Sequence, residues 1–413
     1  MISKFFYNIR ITEIILIIIT GIFFGTPLQN YALIAKLLLI IVLLMSFILN
    51  KFNVNNISNF YLLILFSFPF IYAFRSNLIF DQSFLKGIIA NFNHWGFLII
   101  IYIYYFFKRN QNGVSLLESS IIRLGWLSVF IIYPIKILYP DLEYVVNSFD
   151  GSSEYTFSVK NSLSSVFIVW SGFIYMIKYQ YSKNFFFLLY SIILVSYPVI
   201  FNNARSYVFA LFIYFLYFKF IGLNTRTFLN FFKLFCIVFI LFIIILSNSS
   251  FYLFFVDKIN LFKEAVLVIS GQSSDDLSVS FRLLQSIDAF KFIEDFYILG
   301  VGTLDTFTSK KFVSDYFHPS DIGLIGVIFN YGILGMLILL YQIKIFSFHF
   351  KANKHLNNSF IIGTSHFLII QYIVSIFTGA FAFNISITFL LLGVIIFGAQ
   401  SLKQENYDSN SAS

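Results

Sequence analysis

The sequence HPSDIGLIGVIFNYGILG, residues 318–335, joins a long polar segment to the apolar segment that follows it. The polar segment runs from Ser247 to Ser320 and is the only long break between apolar segments in the sequence. Loops outside the bilayer often carry the binding and catalytic residues of a membrane protein. We therefore expect the functional site in or beside this segment.

The composition around that segment is typical of a membrane protein. Of the 413 residues, 59% are hydrophobic and 11% are charged, and the mean hydropathy is +0.85, whereas soluble domains are about 25% charged. Since a helix needs about 20 mostly apolar residues to cross a bilayer, the sequence predicts an all-α, polytopic bundle of about 12 transmembrane helices with one large helical loop outside the membrane. The predicted spans lie near 11–28, 31–49, 57–74, 87–107, 117–138, 162–177, 185–201, 206–221, 229–246, 321–345, 359–378 and 384–400.

These spans divide the chain into four parts. Residues 1–246 hold the first nine spans, 247–320 the large outer loop, 321–400 the last three spans, and 401–413 a polar tail that we predict to be disordered and cytoplasmic. Inside the loop, the stretch FRLLQSIDAFKFIED at 281–295 has apolar residues at helical spacing. This pattern predicts an amphipathic helix lying on the membrane surface.

The net charge of +8 gives the orientation of the chain. In a soluble protein this charge would suggest nucleic acid, but here the basic residues lie at alternate span ends, as the positive-inside rule requires. The same rule places both termini in the cytoplasm, and the outer loops then carry most of the acidic residues, which supports this orientation. The sequence therefore predicts a membrane-lipid environment and no nucleic-acid partner.

Arg205 is the first candidate site residue. It lies in YPVIFNNARSYVFALF (197–212), between two apolar segments joined by almost no loop, on the outer side. A guanidinium held near the lipid headgroups can bind a phosphate or diphosphate through two hydrogen bonds. The alternative is an arginine that extends to the interface or pairs with an outer carboxylate.

Three more cations lie in the outer loop. Arg282 begins the amphipathic helix and points toward the mouth of the bundle if Leu283 and Leu284 face the membrane; the alternative is a solvated charge at a helix end. Lys310 and Lys311 either attract an anionic substrate or form a solvated pair of loop lysines.

His318 is the candidate base. An imidazole can accept a proton from a hydroxyl group near neutral pH or donate a hydrogen bond to a leaving phosphate. The residues after it have structural explanations, because Ser320 or Asp321 can cap the next helix and Pro319 suits its first turn. No His, Cys or acidic pair lies near His318 at ligand spacing, so the sequence predicts neither a metal site nor a cofactor.

Glycines and one further arginine complete the candidates. Gly300 and Gly302 permit a tight backbone turn before the last spans, and the sequence places Arg75 either near the outer mouth or inside the bundle. We count these three residues, together with Lys310, Lys311 and Asp321, as candidate substrate-binding residues. The glycines within 323–335 are predicted to let membrane helices pack closely. The sequence contains no glycine-rich phosphate loop, serine nucleophile elbow or zinc-protease motif.

The order of these motifs resembles the O-antigen polymerase and ligase superfamily. The matching pieces are NNARSYVFALF around Arg205, FRLLQSIDAFKFIEDFYILGVG from Phe281 to Gly302, and HPSDIGLIGVIFNYGILG from His318. They cover the second half of the chain, and the first half is similar in hydropathy alone. Two positions depart from the family: residues 202–204 are NNA where the family often has a Ser/Gly-rich turn, and Pro319 stands where it often has Asn.

The resemblance implies a metal-independent, inverting glycosyltransferase of the bacterial inner membrane. Both donor and acceptor would be undecaprenyl-diphosphate-linked oligosaccharides, joined at the periplasmic face, with Arg205 and Arg282 stabilising the diphosphate and His318 activating the acceptor hydroxyl. Whether a chain-length regulator protein binds is left open. A ligase that transfers glycan to lipid or protein, and a polysaccharide flippase or transporter, are the alternatives. Pro319 favours the polymerase over the ligase.

Overall fold

The computed structural model describes most of the membrane bundle and the later part of the polar segment. The described residues are 9–20, 28–49, 57–138, 143–147, 154–158, 166–200, 205–216, 225–226, 229–234, 237, 277–314, 317–353, 355–379, 382 and 385–411.

The first half of the described chain consists of helices and one hairpin. The helices are α1 (Ile9–Thr20), α2 (Gln29–Leu49), α3 (Asn59–Phe80), α4 (Phe84–Ala90), a 3-10 helix (Phe92–Leu98), α5 (Ile99–Arg109), α6 (Gly113–Leu138), α7 (Val166–Ser182), α8 (Phe185–Ile200) and α9 (Arg205–Leu216). Between α6 and α7, strands β1 (Glu143–Asn147) and β2 (Glu154–Ser158) pair antiparallel, with Val145 opposite Thr156.

The regular elements of the second half are all helices among the described residues. Its elements are α10 (Leu277–Phe296), α11 (Thr306–Phe312), a 3-10 turn (Pro319–Ile322), α12 (Leu324–Asn353), α13 (Ser359–Thr378), α14 (Ile385–Gly393), a π-helical turn (Val394–Gly398) and α15 (Ala399–Ser411).

Six helical segments among the described residues are long and apolar enough to cross a membrane. They are Tyr31–Ile48, Asn59–Phe80, Gly113–Ile131, Leu324–Asn353, Ser359–Thr378 and Ile385–Glu405. The pair Phe84–Ala90 and Phe92–Arg109 forms a seventh if it is counted as one span. These helices fit a multi-pass membrane protein. The predicted spans at 162–177, 185–201 and 206–221 correspond to the shorter helices α7, α8 and α9, and most of 229–246 lies outside the described residues. The count of about 12 spans stays a prediction.

Helix α7 forms the centre of the bundle. A helix that is apolar on all sides is stable where other helices surround it, and α7 packs against α6, α8 and α13. Trp170 is fully buried and donates a hydrogen bond from Nε1 to Thr364 Oγ1 of α13 at 2.9 Å. This contact fixes α13 in place, and α13 in turn supports the candidate site.

The span predicted at 87–107 is not one straight helix. The structure bends it by 52° between Phe84–Ala90 and Phe92–Arg109. Asn91 stands at the bend, and a 3-10 helix follows it. Apolar composition predicted the span but carried no information about its break.

A polar cap covers one end of the bundle. We define the cap as α10, the loop 297–305, α11 and the 3-10 turn Pro319–Ile322. Helix α10 confirms the helix predicted at 281–295. Its predicted apolar residues Leu283, Ile287 and Phe290 are about half exposed, whereas Ala289 is fully buried. On this side, α10 contributes Ala289 to a small apolar cluster. The other buried members of the cluster are Phe80, Val301, Phe317, Ile322 and Phe329.

The C-terminal tail differs from its prediction. Residues 401–411 continue as helix α15 instead of being disordered. The buried turn Val394–Gly398 supplies a formed helical end, so each further residue adds one hydrogen bond without the cost of nucleation. A hydrogen bond of 3.2 Å from Ser401 Oγ to Glu405 Oε1 stabilises the first turn.

Candidate functional site

Arg75 attaches the cap to the bundle. From α3, its Nη2 and Nε atoms both donate hydrogen bonds to the carbonyl oxygen of Gly300, at 2.8 and 3.2 Å. The guanidinium also lies over the ring of Phe296, 5.7 Å from its centroid.

Sequence reasoning predicts that Arg75 binds substrate. In the structure, two of its five N–H donors are engaged with the backbone of the cap, and contact with a substrate stays a prediction.

Gly300 and Gly302 make the predicted tight turn. Their φ angles are +65° and +94°, in the region that residues with a Cβ rarely adopt. The turn lies on the start of α12, because Val301 N–H donates to Phe329 O at 2.8 Å and Gly302 N–H donates to Asn330 O at 3.0 Å. The predicted turn is therefore confirmed. Its backbone packs directly against the backbone of α12, which is the physical reason for the two glycines. Contact with a substrate stays a prediction for both glycines.

Gln82 is a residue that sequence reasoning missed. It is 3% exposed, donates from Nε2 to Thr303 O at 2.9 Å, and accepts the N–H of Asp305 at 2.8 Å. Asp305 then caps α11 by accepting the N–H of Thr308 at 2.7 Å, and it pairs with Lys86 at 3.6 Å. A single glutamine after an apolar span gives no recognisable sequence signal, so this second attachment of the cap was not predictable.

Lys310 and Lys311 are exposed in the last turn of α11. Cations at a helix C-terminus interact favourably with the helix dipole. Lys311 Nζ also lies 4.8 Å from the centroid of the Phe312 ring. The structure thus provides a local reason for both lysines, and attraction of an anionic substrate stays a prediction.

His318 lies at the edge of the cap with an exposed side chain and extended backbone, φ −130° and ψ 106°. Its backbone N–H donates to Gln285 Oε1 of α10 at 3.2 Å, and Gln285 is 4% exposed. Arg282 precedes Gln285 by three residues, about one turn of helix, and its side chain is exposed. Gln285 therefore brings His318 to the N-terminal part of the helix that carries Arg282.

The turn after His318 is 3-10 helical. Pro319 occupies its first position, as the sequence predicted, and the N–H of Asp321 donates to the carbonyl of His318 at 2.9 Å. The predicted cap by Ser320 or Asp321 is not formed, because both residues lie inside this turn and α12 starts later, at Leu324. The side chain of Asp321 is exposed beside His318.

Arg205 is the first residue of α9, and this helix runs antiparallel to α13. Gln371 Nε2 donates to Tyr207 Oη at 2.7 Å, and Tyr214 Oη lies 2.7 Å from His366 Nδ1. The start of α9 therefore lies beside the end of α13, where the rings of Phe209 and Phe377 are 5.2 Å apart.

The same end of α13 supports the His318 turn. Gly323, five residues after His318, packs so tightly on α13 that a Cβ built there would lie 2.7 Å from the carbonyl carbon of Phe377. The backbone of Arg205 and the His318 turn therefore lie at the same end of α13. The described contacts thus bring Arg205, Arg282 and His318, from three separate parts of the sequence, to one end of the bundle.

The site is a surface with several cations. Arg282, Lys310, Lys311 and His318 are exposed, and so is Asp321, three residues after His318. Among the residues that the structure describes, no group of three or more His, Cys, Asp or Glu side chains could hold a metal ion. This arrangement can bind an anion and exchange a proton at the imidazole.

No protein-family model matches the chain, and no curated protein matches it. The function is therefore inferred from the motifs and from their positions in the fold.

Proposed function

We propose that the protein polymerises lipid-linked oligosaccharide repeat units of an O-antigen or similar surface polysaccharide. The observation that supports this proposal is the placement of Arg205, Arg282 and His318 at one end of the helical bundle. Two arginines and a histidine there suit the departure of a diphosphate and the activation of a hydroxyl. The proposal includes the finer topology: about 12 spans, both termini cytoplasmic, and the cap in the periplasm of a bacterial inner membrane.

The proposed reaction is a single displacement. His318 takes the proton of a sugar hydroxyl on the acceptor unit, and the hydroxyl oxygen attacks the anomeric carbon of the donor. The bond from this carbon to the diphosphate oxygen breaks, and undecaprenyl diphosphate leaves with the electron pair. Arg205 and Arg282 stabilise the growing negative charge on the diphosphate. Because one displacement occurs, the anomeric configuration inverts.

The position of Arg75 affects which cations are assigned to the diphosphate. Two of its five N–H donors bind Gly300 O, so we assign the main diphosphate contacts to the exposed cations at the edge of the cap and keep Arg75 as a candidate for a further contact. Lys310 and Lys311 would then raise the local concentration of the anionic donor. Asp321, next to the His318 turn, would orient the imidazole or a sugar hydroxyl.

The test is the ladder of surface polysaccharide on a gel, in a strain that lacks the gene and carries a plasmid copy. Arg205→Ala, Arg282→Ala and His318→Ala should each abolish the long chains while the protein still accumulates in the membrane. Lys351→Ala, which removes an exposed lysine at the end of α12, is the matched control and should leave the ladder unchanged. Normal ladders from all three site variants would refute the assignment.

The same gel separates polymerase from ligase. Loss of a polymerase leaves acceptors that bear single repeat units, whereas loss of a ligase leaves finished polymer on its carrier lipid. We expect single repeat units from the variants. Polymer stranded on the carrier would instead favour the ligase.

Topology provides an independent test. In a Cys236→Ser background, single cysteines at Arg205 and at His318 should both react with a membrane-impermeant maleimide added from the periplasmic side. Reaction of the two cysteines from opposite sides of the membrane would exclude a shared site.

A further inference from the structure

The cap turn and α4 lie alongside the last turns of α3. Gly302, in the cap turn, packs so closely on α3 that an added Cβ would lie 2.6 Å from Ser76 N. Gly87 of α4 packs on the same helix, where an added Cβ would lie 2.8 Å from Ala73 Cα. Ser76 and Ala73 precede the end of α3 at Phe80 by four and seven residues, which correspond to about 6 and 10 Å along the helix axis. Both segments therefore lie beside α3 and not beyond its end.

The lipid-facing surface of α3 extends to the same level. Helix α3 is one of the segments that are long and apolar enough to cross a membrane, and its side chains Phe74 and Leu78 are exposed. Exposed apolar side chains on a membrane span contact lipid tails, which are as apolar as leucine. Leu78 is two residues from the end of α3. Side chains that are exposed beside Ala73 and Ser76 therefore lie at the level of the bilayer.

Helix α11 is amphipathic. Phe307 is 63% exposed, and the exposed residues Lys310 and Lys311 follow it by three and four positions. Residues at this spacing share one face of a helix. The other side of α11 is buried at Ser309, whose Oγ donates a hydrogen bond to Phe317 O at 3.0 Å. The exposed face of α11 thus combines a large apolar side chain with two cations.

Lys86 connects α4 to this face of α11. Its Nζ lies 5.8 Å from the centroid of the Phe307 ring and 3.6 Å from Asp305 Oδ2. Lys86 directly precedes Gly87, the residue of α4 that packs on α3. These contacts hold Phe307 close to the level of α4, and therefore close to the level of the bilayer.

Helix α4 contributes two more exposed apolar side chains. Leu85 is 67% exposed, and Ile89, four residues later, is exposed on the same face of the helix. We define the α4–α11 surface as six exposed side chains, Leu85, Lys86, Ile89, Phe307, Lys310 and Lys311. Three of them are large and apolar, and three are cationic.

The exposed charge of this surface is positive. Residues 81–90 and 304–314 contain its three lysines and two acidic residues, Asp81 and Asp305. The side chain of Asp305 is 10% exposed, pairs with Lys86 and accepts the N–H of Thr308. Exposed apolar side chains next to lysines are typical of a helix in the membrane interface, where the cations attract anionic headgroups. An acidic protein would match the lysines, but it would not explain the level at which the apolar side chains lie.

We infer that the α4–α11 surface binds anionic phospholipids of the leaflet next to the cap. Its three apolar side chains enter the apolar layer, and its three lysines contact the phosphate groups of the lipids. This contact holds the cap to the bilayer in addition to its attachments to α3. The inference does not depend on the transferase reaction proposed above, because lipid binding requires no acceptor and no turnover.

The test identifies the lipid that lies beside the surface. Full-length protein with Cys236→Ser and Leu85→Cys is labelled at position 85 with bimane and reconstituted into phosphatidylcholine vesicles. The vesicles contain a nitroxide on the acyl chain of either phosphatidylcholine or phosphatidylglycerol, and the nitroxide quenches bimane at short range. We expect both lipids to quench the label. The local affinity for phosphatidylglycerol should be about 5-fold higher, the effect of one lysine near an anionic surface.

A second label and two lysine variants are the comparisons. A label introduced by Ile41→Cys, at an exposed position in the middle of α2, should be quenched equally by the two lipids. The triple variant Lys86→Gln, Lys310→Gln and Lys311→Gln should lose the preference for phosphatidylglycerol at position 85 and keep the quenching by phosphatidylcholine. The double variant Lys310→Gln with Lys311→Gln retains the contact of Lys86 with Asp305 and should lose part of the preference. It replaces the triple variant if that protein does not fold.

Three results would overturn the inference. Quenching at position 41 without quenching at position 85 would mean that the surface faces water or another protein molecule. Equal quenching at position 85 by the two lipids in the parent would exclude a specific contact with anionic headgroups. A preference for phosphatidylglycerol that is unchanged in the folded lysine variants would mean that these lysines do not bind the lipid.

Discussion

Replacing Arg75 by Met should loosen the cap turn without unfolding the bundle. The two hydrogen bonds from Arg75 to the Gly300 carbonyl, 2.8 and 3.2 Å long, are the side-chain contacts that connect α3 to this turn at Gly300. Hydrogen bonds to charged groups contribute about 1.5–3 kcal/mol, and the cation–π contact with Phe296 adds about 0.5–1 kcal/mol. We expect a local loss of about 2–4 kcal/mol, equivalent to a roughly 30- to 900-fold increase in the opening equilibrium of the turn.

Hydrogen–deuterium exchange measures this opening directly. The amides of Val301 and Gly302 are protected by hydrogen bonds to Phe329 and Asn330, and exchange through local opening follows its free energy. A peptide covering 297–304 should exchange about 30- to 900-fold faster in Arg75→Met, and a peptide from the core of α7 should be unchanged. Arg75→Lys keeps the charge but has no planar guanidinium to donate two hydrogen bonds to Gly300 O, so it should give an intermediate rate. Unchanged exchange at Val301 and Gly302 in Arg75→Met would show that Arg75 does not hold the cap turn.

The remaining predictions concern the cap and one ion pair. Gly302→Ala should lower the melting temperature of the detergent-purified protein. The φ angle of +94° and the distance of 2.6 Å from the added Cβ to Ser76 N together cost about 2–4 kcal/mol. A melting temperature within error of the parent would contradict this. Gln285→Ala should shorten the polysaccharide ladder and Gln285→Glu, which keeps an acceptor for the His318 N–H, should restore it; equal ladders from the two variants would contradict a positioning role. Glu13→Ala should reduce the amount of protein that accumulates in the membrane, because it removes the ion pair of 2.6 Å between Glu13 and Arg123. The double variant Glu13→Arg with Arg123→Glu should recover part of this amount. No recovery would mean that the ion pair itself contributes little.

The general architecture was predictable because it depends on periodic properties. Long apolar segments gave the spans at 31–49, 57–74 and 359–378, and the spacing of apolar residues gave α10. The turn at Gly300 and Gly302 was also predictable, since closely spaced glycines before a span indicate backbone that residues with a Cβ cannot adopt.

The remaining features depend on contacts between distant residues. Arg75 has a backbone carbonyl as its partner, 225 residues away in sequence, and a carbonyl belongs to every residue, so no pattern identifies it. The bend at Asn91 has the same origin, because the hydrogen bond from Tyr331 crosses 240 residues. The tail 401–411 is helical because a formed helix precedes it, which its own polar composition does not reveal.

The shared placement of the three catalytic candidates was an expectation from motif order alone. The structure gives it a physical basis through two contacts, Gln285 with the His318 backbone and Gly323 with the end of α13. Neither contact has a recognisable sequence signal, since one uses a buried amide side chain and the other the absence of a side chain.

Reconstituted polymerisation would show whether this protein joins lipid-linked repeat units. The purified protein in liposomes would receive an undecaprenyl-diphosphate-linked repeat unit, and the products would be separated by size. We predict products with two and more repeat units, release of one undecaprenyl diphosphate for each bond formed, and no products with His318→Ala. Products of equal length and yield from His318→Ala, or an intact substrate after incubation with the folded parent protein, would contradict the account.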